Sequence, residues 1–135
     1  MPTLTELNSL RDSLEISWSK ESSADADNWT SANASYGQCA VTALAVQDLL
    51  GGEILWAEAL LPDGSKVSHY FNEIKGKPFD FTSNQFPYGT KIGPGIPKPG
   101  EFASTRRRLL SNENTKKRYI VLGTRLSLQR MGIRM

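Results

Sequence analysis

Residues 36–44, Tyr-Gly-Gln-Cys-Ala-Val-Thr-Ala-Leu, are the stretch around which the fold of this chain is organised. A polar segment ends at Gly37, and an apolar run then extends from position 40 to position 50, where the pair Gly51-Gly52 follows. Glycine allows a tight turn into a helix and is a common stop signal just after one. The pattern predicts a buried three-turn helix with Cys39 in or just before its first turn.

Cys39 is the only cysteine of the chain. Unsatisfied N–H groups and the helix dipole favour negative charge at a helix start, and a thiolate placed there is a usable nucleophile. A free cysteine is also commonly a small buried residue selected for packing. Both interpretations stay open on this evidence alone.

The composition indicates one domain over residues 1–135. A chain of this length can bury a core without disulfides, and a hydrophobic content of 39% with a mean hydropathy of −0.40 is ordinary for a globular protein. A single cysteine excludes an internal disulfide, and residues 1–16 lack the continuous apolar region of a signal peptide. Since no apolar run is long enough to span a membrane, we expect a cytoplasmic protein without a membrane partner.

The net charge of +2 conceals a basic C-terminal third. Residues 98–135 contain ten Lys and Arg against two Asp and Glu, whereas residues 1–97 contain six against twelve. Such a segment is either a polyanion-binding surface or a solvated helical face that neutralises acidic residues of the same fold. Because aromatic residues are not interleaved with the basic ones, we do not expect a nucleic-acid partner.

An N-terminal helix is predicted over residues 5–18. Leucines recur there at three- and four-residue spacing, and Thr3 and Thr5 are both candidates for the N-cap. Residues 20–35 have no periodicity and form a long loop that leads to Cys39. Trp29 in this loop either shields a site from water or anchors the loop by packing.

A three-stranded antiparallel meander is predicted after the Cys39 helix, with strands over residues 53–61, 66–74 and 78–82. Residues 83–100 are rich in Pro and Gly, and we expect a loop without regular structure that walls a cleft beside Asp80.

The C-terminal part is predicted to contain two helices, over residues 101–110 and from 112 to about 123, with Asn112 as a cap candidate. The tail to residue 135 either continues as helix or forms a last strand. One core is expected to unite the apolar faces of the chain, with Leu4, Leu7, Leu10, Leu14, Val41, Leu44, Leu55 and Phe71 as members.

The register of the second hairpin decides whether Asp80 lies beside His69. With a two-residue loop at positions 75–76, Ile74 pairs with Lys77, and Asp80 becomes the diagonal neighbour of His69 on one face. With a three-residue loop the pairing shifts by one, and Asp80 points to the opposite face unless a bulge corrects it. Both registers are compatible with the sequence.

The only cysteine, the only histidine and a nearby aspartate are the residue types that nucleophilic acyl chemistry needs. A thiolate attacks, an imidazole takes and returns a proton, and an acceptor orients the imidazole. We assign these roles to Cys39, His69 and Asp80. Asn72 is a second candidate for the orienting role, although it points to the other face of the strand from His69. The N–H of Cys39 and the Gln38 region, with Trp29 as a site wall, form the expected oxyanion hole.

The order of helix with Cys, strand with His and strand with Asp resembles the order in which papain-like and transglutaminase-like folds present their triads. Gly37-Gln38-Cys39 also resembles the transglutaminase active-site motif, although Ala40 replaces the aromatic residue that follows that cysteine.

A closer resemblance, to the YunG-like family of small uncharacterised bacterial proteins, covers about residues 18–86. It rests on these blocks in order: Trp18-Ser19-Lys20-Glu21-Ser22, Asn28-Trp29-Thr30, residues 37–44, Gln47-Asp48 with Gly51-Gly52-Glu53, His69-Tyr70-Phe71-Asn72, and Asp80-Phe81-Thr82 with Gln85-Phe86. The resemblance implies a papain-like or transglutaminase-like α+β core with Cys39, His69 and Asp80 in the triad positions. It implies no established activity, and the basic C-terminal helices lie outside these blocks.

The predicted fold is α+β and papain-like or transglutaminase-like: a buried helix with cysteine at its N-terminus, packed on an antiparallel sheet, with further N- and C-terminal helices. The first function hypothesis is a cysteine hydrolase or acyltransferase that acts on a peptide or small amide through an S-acyl intermediate. The alternative is a non-catalytic binding protein on a degraded triad fold that uses its basic C-terminal surface. Without zinc-type ligand spacing or a glycine-rich phosphate loop, no metal and no cofactor are expected.

Overall fold

The computed structural model describes residues 1–132 and has an α+β architecture. In this part of the chain, four α-helices accompany a four-stranded antiparallel sheet with the strand order β3-β2-β1-β4. The elements are α1 Leu4–Ser17, α2 Cys39–Leu50, β1 Glu53–Leu60, β2 Lys66–Ile74, β3 Lys77–Phe79, β4 Lys91–Ile92, α3 Thr105–Leu110 and α4 Glu113–Arg130. Short 3₁₀ turns lie in the connections at Lys20–Ser22, Ala26–Asn28, Ser31–Asn33 and Ser83–Gln85.

α1 begins at a capping box. The Thr3 hydroxyl accepts a hydrogen bond from the Glu6 N–H, and the Glu6 carboxylate accepts one from the Thr3 N–H. The structure thus selects Thr3 over Thr5 as the N-cap. The indole N–H of Trp18 donates to Oγ1 of Thr42 at 2.9 Å, which ties the end of α1 to α2.

α2 begins and ends where its flanking glycines predict. Gly37 has a φ of 71° and Gly51 a φ of 75°, in the left-handed region that favours glycine. A β-carbon on Gly37 would also lie 2.3 Å from Oγ of Ser23 and 2.9 Å from N of Ala24. The turn into α2 therefore requires glycine at position 37.

The apolar residues form three clusters, so the prediction of a single core was wrong. Leu10, Leu14 and Val41 belong to a cluster that joins α1, α2 and α4. Leu44 belongs to a second cluster, and Leu55 and Phe71 lie in a third. The sheet separates the last two clusters because successive side chains of a strand point to opposite faces.

Leu4 is 73% exposed and lies outside every cluster, although its spacing placed it on the buried stripe. The stripe continues as expected from Leu7, which packs partly buried against the first cluster. The buried stripe of α1 thus begins one turn later than the leucine spacing predicts.

The β2–β3 hairpin has a two-residue loop, which is the first of the two registers that the sequence allows. Ile74 pairs with Lys77, and Asn72 pairs with Phe79. This register places Asp80 on the same face of the sheet as His69. β3 ends at Phe79 and is shorter than predicted, since the chain turns after Asp80 into the 3₁₀ turn at 83–85.

β4 lies in the segment 83–100, for which the sequence predicted no regular element. Ile92 pairs with Ala59 and Lys91 with Leu60, and Ile96 bridges Trp56 of the same strand. The prediction was wrong because the partner is the free edge of β1, which the local Pro- and Gly-rich sequence does not reveal.

The two C-terminal helices differ from their predicted bounds. α3 starts at Thr105 with Ser104 as N-cap, and α4 starts after the predicted cap Asn112 and continues past Gly123 to Arg130. The helical alternative for the tail thus holds to Arg130, and the prediction for residues 133–135 lies outside the described residues. No helix within residues 1–132 combines the length and apolar character that crossing a membrane requires.

Part of the basic C-terminal third stabilises the fold. Arg106 forms an ion pair with Asp48 of α2 at 2.8 Å. Nε of Arg125 donates to the main-chain oxygen of Ser17 at 2.8 Å, where a cation complements the negative end of α1. These two arginines fit the interpretation that basic residues neutralise other parts of the same chain.

Candidate active site

Cys39 is the first residue of α2, and its half-buried free thiol lines a cavity of about 830 Å³. The first N–H groups of a helix have no intrahelical acceptor, so the donors of this turn surround the thiol with positive partial charge. This is the location predicted from the glycine pattern.

His69 and Asp80 make a close contact on one face of the sheet. Nε2 of His69 lies 2.6 Å from Oδ2 of Asp80; the His69 side chain is fully buried, and that of Asp80 is 19% exposed. Because a carboxylate only accepts hydrogen bonds, Nε2 carries the proton and donates it. Oδ1 of Asp80 accepts from the Thr82 N–H at 3.1 Å, so the carboxylate is held on both oxygens.

The other ring nitrogen of His69, Nδ1, is buried and has no hydrogen-bond partner among the described residues. The ring is held by Phe71, stacked at a centroid distance of 6.0 Å, and by Phe86, edge-on at 5.1 Å. The Cys39 thiol interacts with the ring closely enough to raise the pKa of His69.

The pKa of His69 is raised from 6.5 to about 9. Burial by itself lowers the pKa, because the charged ring loses its hydration. The hydrogen bond to Asp80 and the interaction with Cys39 outweigh burial. The imidazolium is consequently the main form at neutral pH, and both ring nitrogens are then donors.

Three hydrogen bonds join the loop before Cys39 to the turn after Asp80. The donors are Nδ2 of Asn33, Oγ of Ser35 and N of Gly37, and the acceptors in the same order are O of Gln85, Oδ1 of Asn84 and Oε1 of Gln85. Their lengths are 3.1, 2.8 and 3.1 Å. These bonds hold the start of α2 against the segment that carries the carboxylate.

The described residues that line the cavity come mainly from the loop before α2 and its first turn, from β2 at Ser68 and Tyr70, from the segment 85–87, and from the α3–α4 region. Phe86 both lines the cavity and packs against the His69 ring. Cys39 lines the cavity, whereas His69 and Asp80 are not among the described residues that line it.

Gln38 and Trp29 are not among the described residues that line the cavity. The buried Gln38 side chain accepts from Oγ of Ser22 at 2.8 Å and donates to O of Ser19 at 2.9 Å. The Trp29 indole N–H donates to O of Ala34 at 2.9 Å, which is the anchoring alternative. Both side chains thus hold the loop together. The role of the Gln38 region in the oxyanion hole stays a prediction, and the contact of Trp29 favours anchoring over shielding.

Asn72 does not orient His69. Its Nδ2 donates to the main-chain oxygen of Ala43 at 2.9 Å and so links β2 to α2 on the other face of the sheet. The alternation of side chains along β2 fixes this separation.

Gln85 is a site residue that the sequence analysis missed. Its Oε1 accepts from Gly37, which fixes the orientation of the amide, and its buried Nε2 then has no acceptor among the described residues. Gln85 lines the same cavity as Cys39, so an unused amide donor lies in the wall of the site. The only signal in the sequence was its place in the Gln85-Phe86 block, which carries no role.

Residues 1–132 contain no group of three or more His, Cys, Asp or Glu side chains arranged to hold a metal ion.

Comparison with known proteins gives a family relationship. A family model described as YunG protein matches residues 6–130. The Bacillus subtilis (strain 168) protein named "Uncharacterized protein YunG" is 42% identical over 73 residues, which make up 54% of this chain and 56% of that protein. The chain thus aligns with little more than half the length of this relative. No solved structure matches the chain.

Proposed function

The chain belongs to the YunG protein family, and we propose that it is a cysteine-dependent hydrolase or acyltransferase that works through an S-acyl intermediate on Cys39. One observation carries the proposal: Nε2 of His69 lies 2.6 Å from Asp80, while the buried Nδ1 has no hydrogen-bond partner within residues 1–132. An imidazole held in this way has one nitrogen committed to the carboxylate and the other available to the thiol.

We also infer that the core is of the papain-like or transglutaminase-like type. In its support, Cys39 begins a helix, His69 lies within the strand β2, and Asp80 follows the antiparallel neighbour β3. The three side chains come from three different elements, as a triad assembled by a fold requires.

The first half-reaction forms the intermediate. The Cys39 thiolate attacks the carbonyl carbon of a peptide or small amide, and a carbon–sulfur bond forms. When the carbon–nitrogen bond then breaks, the leaving amine takes the proton that the His69 imidazolium supplies. Asp80 stabilises the imidazolium and fixes the ring, and it transfers no proton itself.

The second half-reaction releases the acyl group. Water or an amine attacks the thioester, and His69 takes the proton of the attacking group. The carbon–sulfur bond breaks and the thiolate is restored. Water gives hydrolysis and an amine gives acyl transfer, so the two activities differ only in the acceptor that enters the cavity.

In both half-reactions a negative charge develops on the carbonyl oxygen of the substrate, and this charge needs hydrogen-bond donors. The main-chain N–H of Cys39 is one, because the first residue of a helix has no intrahelical acceptor. The Nε2 amide of Gln85 is a second candidate, since it has no acceptor among the described residues and Gln85 lines the same cavity as Cys39.

Burst kinetics with p-nitrophenyl acetate test this function. We expect release of about one equivalent of p-nitrophenol per protein, with intact-mass and peptide analysis placing one acetyl group on Cys39. His69→Ala should suppress the burst, and Cys39→Ser serves as the matched control because it keeps the volume of the side chain.

Equal release of p-nitrophenol by the native chain and by Cys39→Ser, with no acetyl group on the thiol, would contradict the proposed enzymatic function. That outcome would favour the alternative of a binding protein on a triad fold that has lost its activity.

A further inference from the structure

We propose that the substrate of the Cys39 site carries a carboxylate or similar anionic group, which Arg108 of α3 and Arg118 of α4 bind inside the cavity. This inference rests on the proposed nucleophilic role of Cys39 and goes beyond it by naming the chemical class of the substrate.

Arg108 and Arg118 line the same cavity as the thiol. Nη1 of Arg108 donates to O of Lys98 at 3.4 Å, and Nη2 of Arg118 donates to Oγ1 of Thr115 at 3.1 Å. A guanidinium has five N–H donors, so each arginine is oriented by one bond and keeps several donors for a ligand. An arginine fork matches the two oxygens of a carboxylate.

Neither guanidinium forms an ion pair with a carboxylate within residues 1–132. The neighbouring arginines of α3 show the contrast, since Arg106 pairs with Asp48 at 2.8 Å and Arg107 is exposed to solvent. In this helix one cation is neutralised and one is solvated, while Arg108 is half-buried in the cavity wall.

The surroundings of the two cations favour an anionic ligand. Burial lowers the pKa of Arg118, and the proximity of Cys39 acts in the opposite direction. Burial raises the pKa of Tyr70, and the nearby Arg108 opposes that rise. Arg118 is therefore near the thiol, and Arg108 is near Tyr70 in the wall of the same cavity. Both cations are half-buried, so that a bound anion restores interactions that they lose on burial.

The cavity also contains one carboxylate, that of Asp25 in the loop before α2. Its Oδ2 accepts from Nδ2 of Asn28 at 2.9 Å and from the Tyr36 hydroxyl at 2.8 Å. The hydrogen bond from Asn28 and that from Tyr36 lower the pKa of Asp25. Asp25 is thus occupied by neutral donors and leaves the arginines to a ligand.

Arg118 could instead act on the thiolate alone and bind no substrate. The two roles differ in a measurable way, because a cation that only stabilises the thiolate accelerates neutral and anionic reagents alike. A cation that binds the reagent accelerates only the anionic one.

Alkylation of Cys39 by iodoacetate and by iodoacetamide separates these roles, since both reagents transfer a carbon to sulfur with loss of iodide and differ in charge. We expect Cys39 of the native chain to react faster with iodoacetate than with iodoacetamide. The iodoacetate-to-iodoacetamide rate ratio should fall about tenfold in Arg108→Gln and in Arg118→Gln. Arg107→Gln and Lys117→Gln, which remove exposed charges next to each site, are the matched controls and should leave the ratio unchanged.

A ratio that is insensitive to Arg108→Gln and Arg118→Gln, or that falls equally in the two controls, would overturn the anion site while the nucleophile stands. A thiol inert to both reagents would overturn the proposed nucleophile instead.

The anion site is then tested without any reaction, by titrating N-acetylglycine and N-acetylglycinamide against the isotope-labelled chain. Saturable backbone shifts in α3 and α4 with the acid only, lost in Arg108→Gln, support the site. Identical responses to acid and amide contradict it.

Discussion

Nε2 of His69 lies 2.6 Å from Oδ2 of Asp80, eleven positions along the chain and across the turn of one hairpin. The contact exists because the loop at Lys75-Gly76 has two residues, which places both side chains on one face of the sheet. A loop one residue longer would have turned the carboxylate away. The candidate triad thus depends on a single local choice of turn.

The His69 ring provides the most accessible test of this contact, because the chain has one histidine and its ring signals need no assignment. We expect NMR titration to give a pKa near 9, well above the ordinary value of 6.5. Asp80→Asn removes the charged acceptor and should shift the pKa downward. A ring that titrates at or below 6.5 in the native chain would show that burial outweighs Asp80.

The raised pKa of His69 also makes the free energy of unfolding depend on pH. Since the folded chain holds the proton more tightly than the unfolded one, protonation of His69 stabilises the fold. Its contribution is fully present below pH 6.5 and is lost as the pH rises through about 9. In a Cys39→Ser background only the Asp80 part of the rise remains, so the unfolding free energy in urea should still decline above pH 6.5, over a narrower window and by up to about 1 kcal/mol per pH unit. Adding Asp80→Asn should weaken the decline, and an unchanged slope would contradict the linkage.

Position 37 should accept only glycine. Gly37→Ala combines a positive φ with contacts to Ser23 and Ala24 that a β-carbon cannot make, so we expect a loss of about 2 kcal/mol or more in unfolding free energy. Gly123→Ala is the matched control: it lies within α4 with open space around it, and alanine there should add about 0.5–1 kcal/mol. Equal effects at the two positions would show that the turn into α2 is not constrained.

The buried face of α2 is tested at Leu44, which has no exposed surface. Leu44→Ala should cost about 2–5 kcal/mol by chemical denaturation, because the truncation leaves a cavity. Leu4→Ala removes the same atoms from an exposed position and should cost less than about 0.5 kcal/mol. A loss below that value at Leu44 would show that this face of α2 is not packed.

Local patterns predicted the elements that depend on nearby residues. The glycines around α2 gave its bounds, the cap at Thr3 was one of two candidates, and β2 was predicted over its observed range. β4 and the exposure of Leu4 were missed, because each depends on an element distant in the sequence. Periodicity reports which face of a helix is apolar and does not report where its partner ends.

The same contrast between nearby and distant residues explains what could be predicted of the candidate site. The positions of Cys39 and His69 on their elements could be read from the sequence, whereas the proximity of Asp80 depended on a register with two allowed values. The side-chain partners of Gln38 could not be predicted from local sequence, because Ser22 and Ser19 lie 16 and 19 positions away. Gln85 was missed because its bond to Gly37 spans 48 positions.

We propose that the His69–Asp80 pair activates the Cys39 thiol. The measurement that decides this claim is the rate of Cys39 alkylation by iodoacetamide as a function of pH. In the native chain we expect fast alkylation that persists below pH 8, where an ordinary thiol is largely protonated. His69→Ala should return the profile to that of an ordinary thiol, and Asp80→Asn should slow alkylation at neutral pH by about tenfold or more while the fold stays intact. Identical profiles for the native chain and both variants would contradict the claim, and a profile changed by His69→Ala alone would remove Asp80 from the mechanism.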